Sequence, residues 1–300
     1  MNVTNKYLKS SISEISNFFR NNTDPPEDMY MNLIMELRVS DLMMPVSFDG
    51  EKFTFPTIDV DDGTNLLPLF TSDEELKKYS KDFESISNDL PFFIRVVNDH
   101  DLDGILIDLG SDEFCVENEL LNKIEFTKKR FSEHPYEPEE LRDMALGQRN
   151  DKLRSFIQDE SNFNNFDDLS ELLVETPLLT VVASEEDLSE FVKDGIIDRN
   201  EASTFSIFTM PSGSEHYGTV YTDTDAIVEF HETVDLDYYV QVTNKFIVFH
   251  FILSNDLDGL IINPGTDDYY VPRQVILRLL NEKLVDPHLE YATRYAFRIE

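Results

Sequence analysis

Apolar residues first recur at helical spacing. Tyr7, Ile12, Ile15 and Phe19 mark an amphipathic helix near the start of the chain, and Leu153 and Phe156 mark another half-way along. Each is followed by a second helical stretch that opens beside acidic residues, "DPPED" in one case and "NNFDD" in the other. Carboxylates there suit the positive end of a helix dipole. Short apolar runs come next: "LMMPVSF", "KFTFPTI" and "NLLPLF" after the first pair of helices, "PLLTVVA", "TFSIFTM" and "GTVYTD" after the second. Their length and branched or aromatic content predict strands. A short helix is predicted over 72–80, "SDEELKKYS", with Ser72 as its cap and Glu75 three residues on; "DTDAIVEFH" is its counterpart. The runs "FFIRVVNDHDLDGILIDL" and "FIVFHFILSNDLDGLIIN" read as hairpins turning at Asp-Leu-Asp-Gly. A helix closes each half, "ENELLNKIEFTKKRF" and "PRQVILRLLNEKLV", with Pro272 suited to a first turn.

The two halves therefore repeat one order of elements, and their residues align. "LIMELRVSDLMMPVSF" (33–48) matches "LSELLVETPLLTVVAS" (169–184), and "DLDGILIDLGSDEFCV" (101–116) matches "DLDGLIINPGTDDYYV" (256–271). So long a period excludes a solenoid and indicates a duplicated domain. The boundary is expected within "SEHPYEPEE", where two prolines interrupt the helical pattern, giving domains 1–135 and 136–300. Strands and helices that do not strictly alternate predict an α+β fold. Each copy is expected to hold a mixed or antiparallel sheet with helices mainly on one face. The second copy carries extra residues at 184–200, "SEEDLSEFVKDGIIDRN", read as an inserted helix capped by Ser184 and ending at Gly195.

The strand and capped helix "LLPLFTSDEEL" (66–76), with the later "DGLIINPG" (258–265), resemble the SseB family, named for enhanced serine sensitivity. The likeness runs over roughly 25–130 and 165–285 of the chain. It implies a fold far more than a function, because it brings no catalytic residues to carry over. The copies depart from the pattern in complementary ways. Asp108-Leu109-Gly110 stands where the second copy has Asn263-Pro264-Gly265.

Composition narrows the function classes. The chain has 300 residues, 41% of them hydrophobic, with 23 Phe and 12 Tyr, which is ample material for two cores. Its net charge of −35 is spread along the whole length, which opposes binding to phosphate backbones. No membrane partner is expected either, since eighteen apolar residues nowhere run together, and the N-terminal stretch has no apolar core of signal-peptide length. A cytoplasmic protein is expected. The single cysteine, Cys115, excludes an internal disulfide and reads as a small buried hydrophobe on a strand.

The candidate chemistry is sparse. Asp99, Asp101, Asp103 and Gly104 mimic the start of a calcium loop, but the closing position, where a bidentate Glu belongs, is Gly110, and Gly265 in the second copy. The reading is an exposed turn with no cation. His231-Glu232 lacks a second histidine at helical spacing, and His250 reads as a hydrogen-bonded or edge-strand residue. Neither a nucleophile elbow nor a phosphate loop is present, so no catalytic residue, metal ligand or cofactor is assigned. Two readings remain open. One is a non-catalytic acidic module that binds a protein partner, a basic one suiting its charge. The other is a small-molecule binder or enzyme in the second copy, around Asn263, Gly265, Asp267, Tyr269 and Tyr270, where the first copy has lost the asparagine, the proline and both tyrosines. The apolar stripe of the inserted helix, Leu188 and Phe191 among it, is the remaining candidate for partner contact. A nucleic-acid mimic is a third class, disfavoured because acidic residues flank every turn instead of lining one face.

Overall fold

A computed structural model describes residues 4–21, 24–50, 52–60, 63–80, 83–124, 137–183, 191–198, 206–231, 238–242, 245–280 and 295–298. The chain divides into two compact units, Met1–Lys128 with Ser254–Asp256, and Lys129–Leu253 with Leu257–Glu300. Both are α+β.

The first unit runs α1 (Lys6–Arg20), α2 (Glu27–Val39), β1 (Asp41–Asp49), β2 (Lys52–Thr54), β3 (Ile58–Asp59), β4 (Asn65–Leu69), α3 (Asp73–Tyr79), β5 (Glu84–Asp89), α4 (Leu90–Asp99), β6 (Gly104–Ile107), β7 (Phe114–Glu117) and α5 (Asn118–Lys123). Its strands form a three-stranded antiparallel sheet, β2-β1-β5, and a four-stranded mixed sheet, β3-β4-β6-β7. Among the described strands of this unit only β4 and β6 are parallel, in register Leu66↔Gly104 through Leu69↔Ile107. Met43 and Phe70 exchange two backbone hydrogen bonds, at 2.9 and 2.8 Å, and so join the two sheets. The apolar stripe of α1 (Leu8, Ile12, Ile15) packs with Leu33, Leu37, Phe93 and the inner faces of β1, β4 and β6 in one core. Ser72 caps α3 by accepting from Glu75 N, as the sequence predicted.

The second unit runs α6 (Pro138–Gly147), α7 (Asp151–Gln158), α8 (Phe166–Glu175), β8 (Leu179–Ala183), β9 (Ile196–Asp198), β10 (Ser206–Ile207), β11 (Thr209–Ser212), β12 (Glu215–Val220), α9 (Thr224–His231), β13 (Tyr239–Val242), α10 (Lys245–Ser254), β14 (Gly259–Ile262), β15 (Tyr269–Pro272), α11 (Arg273–Arg278) and β16 (Tyr295–Phe297). The sheet β11-β12-β14-β15 repeats β3-β4-β6-β7 strand for strand, down to the single parallel pair, Tyr217↔Gly259 through Val220↔Ile262. The other sheet, β10-β8-β13-β16-β9, contains the counterparts of β2, β1 and β5 and adds two strands beyond them. Leu179 and Tyr221 make the bridge that Met43 and Phe70 make in the first unit.

The expected hairpins at Asp-Leu-Asp-Gly are helix-to-strand junctions. The run before each motif is a helix, α4 or α10, so the strand after it pairs in parallel with an earlier strand instead of folding back on its neighbour. His250 therefore sits exposed on α10, not on an edge strand. Each residue of the motif has a separate task. Asp101 and Asp256 adopt left-handed backbone, φ 51 and 53, at the helix ends. Leu102 N then reaches Val97 O and Leu257 N reaches Ile252 O, at 2.9 and 3.0 Å, the helix-ending arrangement in which a leucine also covers the last turn. Asp103 accepts from Asn65 N at 2.7 Å and Asp258 from His216 N at 2.8 Å, pinning the start of the parallel partner strand. A Cβ on Gly104 would lie 2.2 Å from Val116 O, and on Gly259 2.2 Å from Val271 O. The motif is a mechanical junction. Asp99, Asp101 and Asp103 are exposed, as expected of turn residues.

The inserted segment needs correction. Residues 184–190, Leu188 among them, lie outside the described residues, and the chain beyond Phe191 is not helical. Asp194 and Gly195, φ 53 and 77, form a tight turn that pairs Lys193 with Ile196, and the chain leaves it as strand β9. Asp-Gly is the preferred dipeptide where both turn residues need positive φ, which suits it to this turn. Cys115 also departs from expectation. It lies on β7 but is exposed, because its neighbour Val116 takes the core face. The closing helix of the first half, α5, ends at Lys123, with the rest of the predicted stretch outside the described residues.

Candidate functional site

The carboxyl ends of the two parallel strands in a mixed sheet are where a fold of this kind gathers polar groups. In the second unit the chain leaves β12 at Tyr221 and β14 at Ile262, which brings Thr222 beside Asn263. Asn263 is fully buried, with φ 53. Its Oδ1 accepts from Thr222 N at 2.8 Å, and its Nδ2 donates to Thr222 Oγ1 at 2.9 Å and to Asp267 Oδ2 at 2.7 Å. The Thr222 hydroxyl in turn donates to Asp223 Oδ2 at 2.9 Å, while Asp223 Oδ1 caps α9 through Ala226 N at 3.0 Å. Arg154, from α7, lies against both carboxylates, Nη1 at 3.3 Å from Asp223 and Nε at 3.6 Å from Asp267. Asn150, at the start of α7, closes the cluster by donating to Pro177 O and Thr222 O, each at 2.6 Å.

The sequence-derived candidates divide around this cluster. Asn263 and Asp267 belong to it. Gly265, φ 77, supplies the turn between them, and a Cβ there would meet the Phe230 ring at 2.8 Å. Asp267 and its neighbour Asp268 turn to different partners. Asp267 Oδ1 accepts from Gln158 at 2.9 Å, whereas Asp268 Oδ1 accepts from Gly265 N at 2.7 Å. Tyr269 is buried, its hydroxyl donating to Asn162 O at 3.1 Å, and burial pushes its pKa up. Tyr270 is half-buried, with its ring 5.1 Å from that of Tyr217 in an edge-to-face pair. Phe191 is half-buried before the Asp194-Gly195 turn.

The first unit builds the same cluster from different residues. Asp108, 1% exposed and with φ 52, accepts from Thr71 N at 2.8 Å and Thr71 Oγ1 at 2.7 Å. Burial holds its carboxyl above the ordinary range, against the pull of those two hydrogen bonds, and Glu75 adds to the rise. Asn5 donates to Asp41 O and Thr71 O, as Asn150 does to the corresponding carbonyls. Lys9 on α1 and Lys78 on α3 both pair with the buried Glu75. Burial pushes the Glu75 carboxyl up, but the two lysines, with Ser111, outweigh it and hold it below the ordinary range. Arg20 bonds Asp112 at 2.7 Å, and that carboxyl is held low by Ser13 and Arg20.

Sequence reading missed the threonines and the two asparagines, Asn5 and Asn150. Their signal was present: Thr follows the aromatic residue that ends the strand in both "LFTS" and "VYTD". Among the described residues, no three His, Cys, Asp or Glu side chains converge in a way that could hold a metal ion. No helix among them is long and apolar enough to cross a membrane. Residues 22–122 match the model of the SseB protein N-terminal domain. The first unit carries an SseB domain. No curated protein and no solved structure matches the chain.

Proposed function

We propose that this chain is a non-catalytic, acidic, cytoplasmic interaction protein, built from an SseB domain and a duplicate of it that has kept the fold and changed the surface. One observation carries the reading. At the carboxyl ends of both parallel strand pairs, where a substrate site would be expected, the side chains of Asn263, Thr222 and Asp267, and of Asp108 and Thr71, bond one another. Asn263 uses its amide oxygen and its amide N–H groups on Thr222 and Asp267, and Asp108 engages Thr71 with both oxygens. A binding site for a small molecule instead leaves several polar groups convergent and unspent. The charge of −35 favours a basic partner and an association that weakens with salt.

The test pairs two measurements on the full chain. Affinity capture from the native host should recover a protein partner at low ionic strength and release it as salt rises. Thermal unfolding across a panel of metabolites and divalent metals should show no stabilisation. A compound that raises the melting temperature by several degrees, and stops doing so in Asn263→Ala, would replace this reading with a small-molecule site in the second unit.

A further inference from the structure

The two units differ most at one sheet edge. In the second unit the strand β13 is buried throughout, Val240 0% and Gln241 2% exposed, because β16 lies along its outer side, pairing Val240 with Phe297. Its counterpart β5 is, among the described residues, the last strand on its side of the first unit's sheet. Glu84, Ser85, Ser87 and Asp89 are exposed there. Backbone direction along β5 follows from the bridge between the sheets. Met43 spends its N–H and C=O on Phe70, so its neighbours Leu42 and Met44 are the residues that bond β5. Their partners Asn88 and Ile86 thus face inward, and Ser85 and Ser87 turn their N–H and C=O outward. The same reasoning from Leu179 and Tyr221 turns Val240 outward, towards Phe297. Ser85 therefore stands where Val240 stands, with no described strand beside it.

We propose that the outer edge of β5 receives an extended segment of a partner protein, aromatic at alternate positions and flanked by basic residues. The inference rests on the interaction reading and specifies its docking surface. The second unit shows the occupant's chemistry: its edge is filled by Tyr295-Ala296-Phe297, which lies between Arg294 and Arg298 in the sequence. The first unit adds charge complementarity, since Glu84 and Asp89 bracket β5. Added strands draw affinity from main-chain hydrogen bonds and specificity from alternate side chains.

The experiment titrates a fluorescein-labelled peptide, TRYAFRI, into the full chain and reads polarisation. Saturable binding is expected, weakened about tenfold or more in Ser87→Pro, which removes one outward N–H without touching the bonds to β1. Ser87→Ala should bind like the parent, and a peptide with both arginines changed to glutamate should bind more weakly. Circular dichroism and the melting temperature verify that Ser87→Pro folds. If it does not fold, amide exchange at Ser85 and Ser87 of the parent chain, slowed by the peptide, gives the same answer. Equal binding by parent and Ser87→Pro, no saturable binding, or self-association of the chain through this edge would overturn the inference. Partner capture from the host that persists in Ser87→Pro would sink this edge alone. Loss of capture by the parent chain would sink the interaction reading itself.

Discussion

Asp108 and Asn263 hold the same point of the same sheet with different chemistry. Each follows the last core residue of the second parallel strand, each has left-handed backbone, and each takes a threonine N–H at 2.8 Å from the neighbouring strand end. Asn263 can donate as well as accept, and it spends an N–H on Asp267. Asp108 can only accept when ionised, and the carboxylate at the place of Asp267, Asp112, is turned to Arg20 instead. The substitution is compensated locally, as expected of a structural latch.

Asp108→Asn should accordingly fold and alter the pH dependence of stability. Burial raises the Asp108 carboxyl in the folded state, so folding favours its protonated form. Its contribution is greatest at low pH and is lost as pH rises from the unfolded carboxylate pKa through the higher folded one. An amide in its place does not titrate and would remove that loss. The variant should be more stable than the parent above this window, with a flatter profile inside it, by urea unfolding between pH 4 and pH 8. An unchanged profile would show that Asp108 does not feel its burial.

Glu75 has the opposite sign. The lysine pair lowers its folded pKa, so its stabilisation is present above the unfolded carboxylate pKa and disappears as pH falls through the folded one. Glu75→Gln should reduce stability at neutral pH by about 1–3 kcal/mol and converge on the parent in acid. A constant difference across pH would assign the loss to packing.

Gly104→Ala and Gly259→Ala should each cost about 2 kcal/mol or more, since the added methyl runs into a backbone carbonyl that cannot step aside. Gly147→Ala, where the methyl meets open space, is the control and should be neutral. Chemical denaturation of the three variants decides the matter. Tolerance of Gly104→Ala would contradict the junction role given to Asp-Leu-Asp-Gly.

These junctions also show how far the sequence could be read. The order of strands and helices, the Ser72 cap and the repetition of the core pattern were legible, because each rests on local periodicity or capping. "FIVFHFIL" was misread as a strand because that helix is apolar nearly all round and loses the period that would betray it. "FFIRVVN" was misread although α4 keeps a helical stripe of Leu90, Phe93 and Val97. The polar cluster was half legible. Asn263 stood out by differing between copies, and Gly265 and Asp267 by lying in the same turn, but Thr71, Thr222, Asn5 and Asn150 are placed by pairing between distant segments. Leu188 lies outside the described residues, and Phe191 was chosen on a helical stripe that does not continue beyond it.

The inserted segment is therefore expected to be part of the second unit's sheet. Ile197 on β9 is fully buried, and its neighbour Ile196 pairs with Phe297. Ile197→Ala should cost about 2–4 kcal/mol in urea unfolding. A neutral outcome would restore the segment to the surface.

The open edge of β5 is tested most directly by residue-resolved amide hydrogen exchange on the unliganded full chain. Ser85 and Ser87 should exchange rapidly, while Val240, whose outward N–H faces β16, should be strongly protected. Protection of Ser85 matching that of Val240 would mean the edge is already occupied, and the first unit would have no strand to offer a partner.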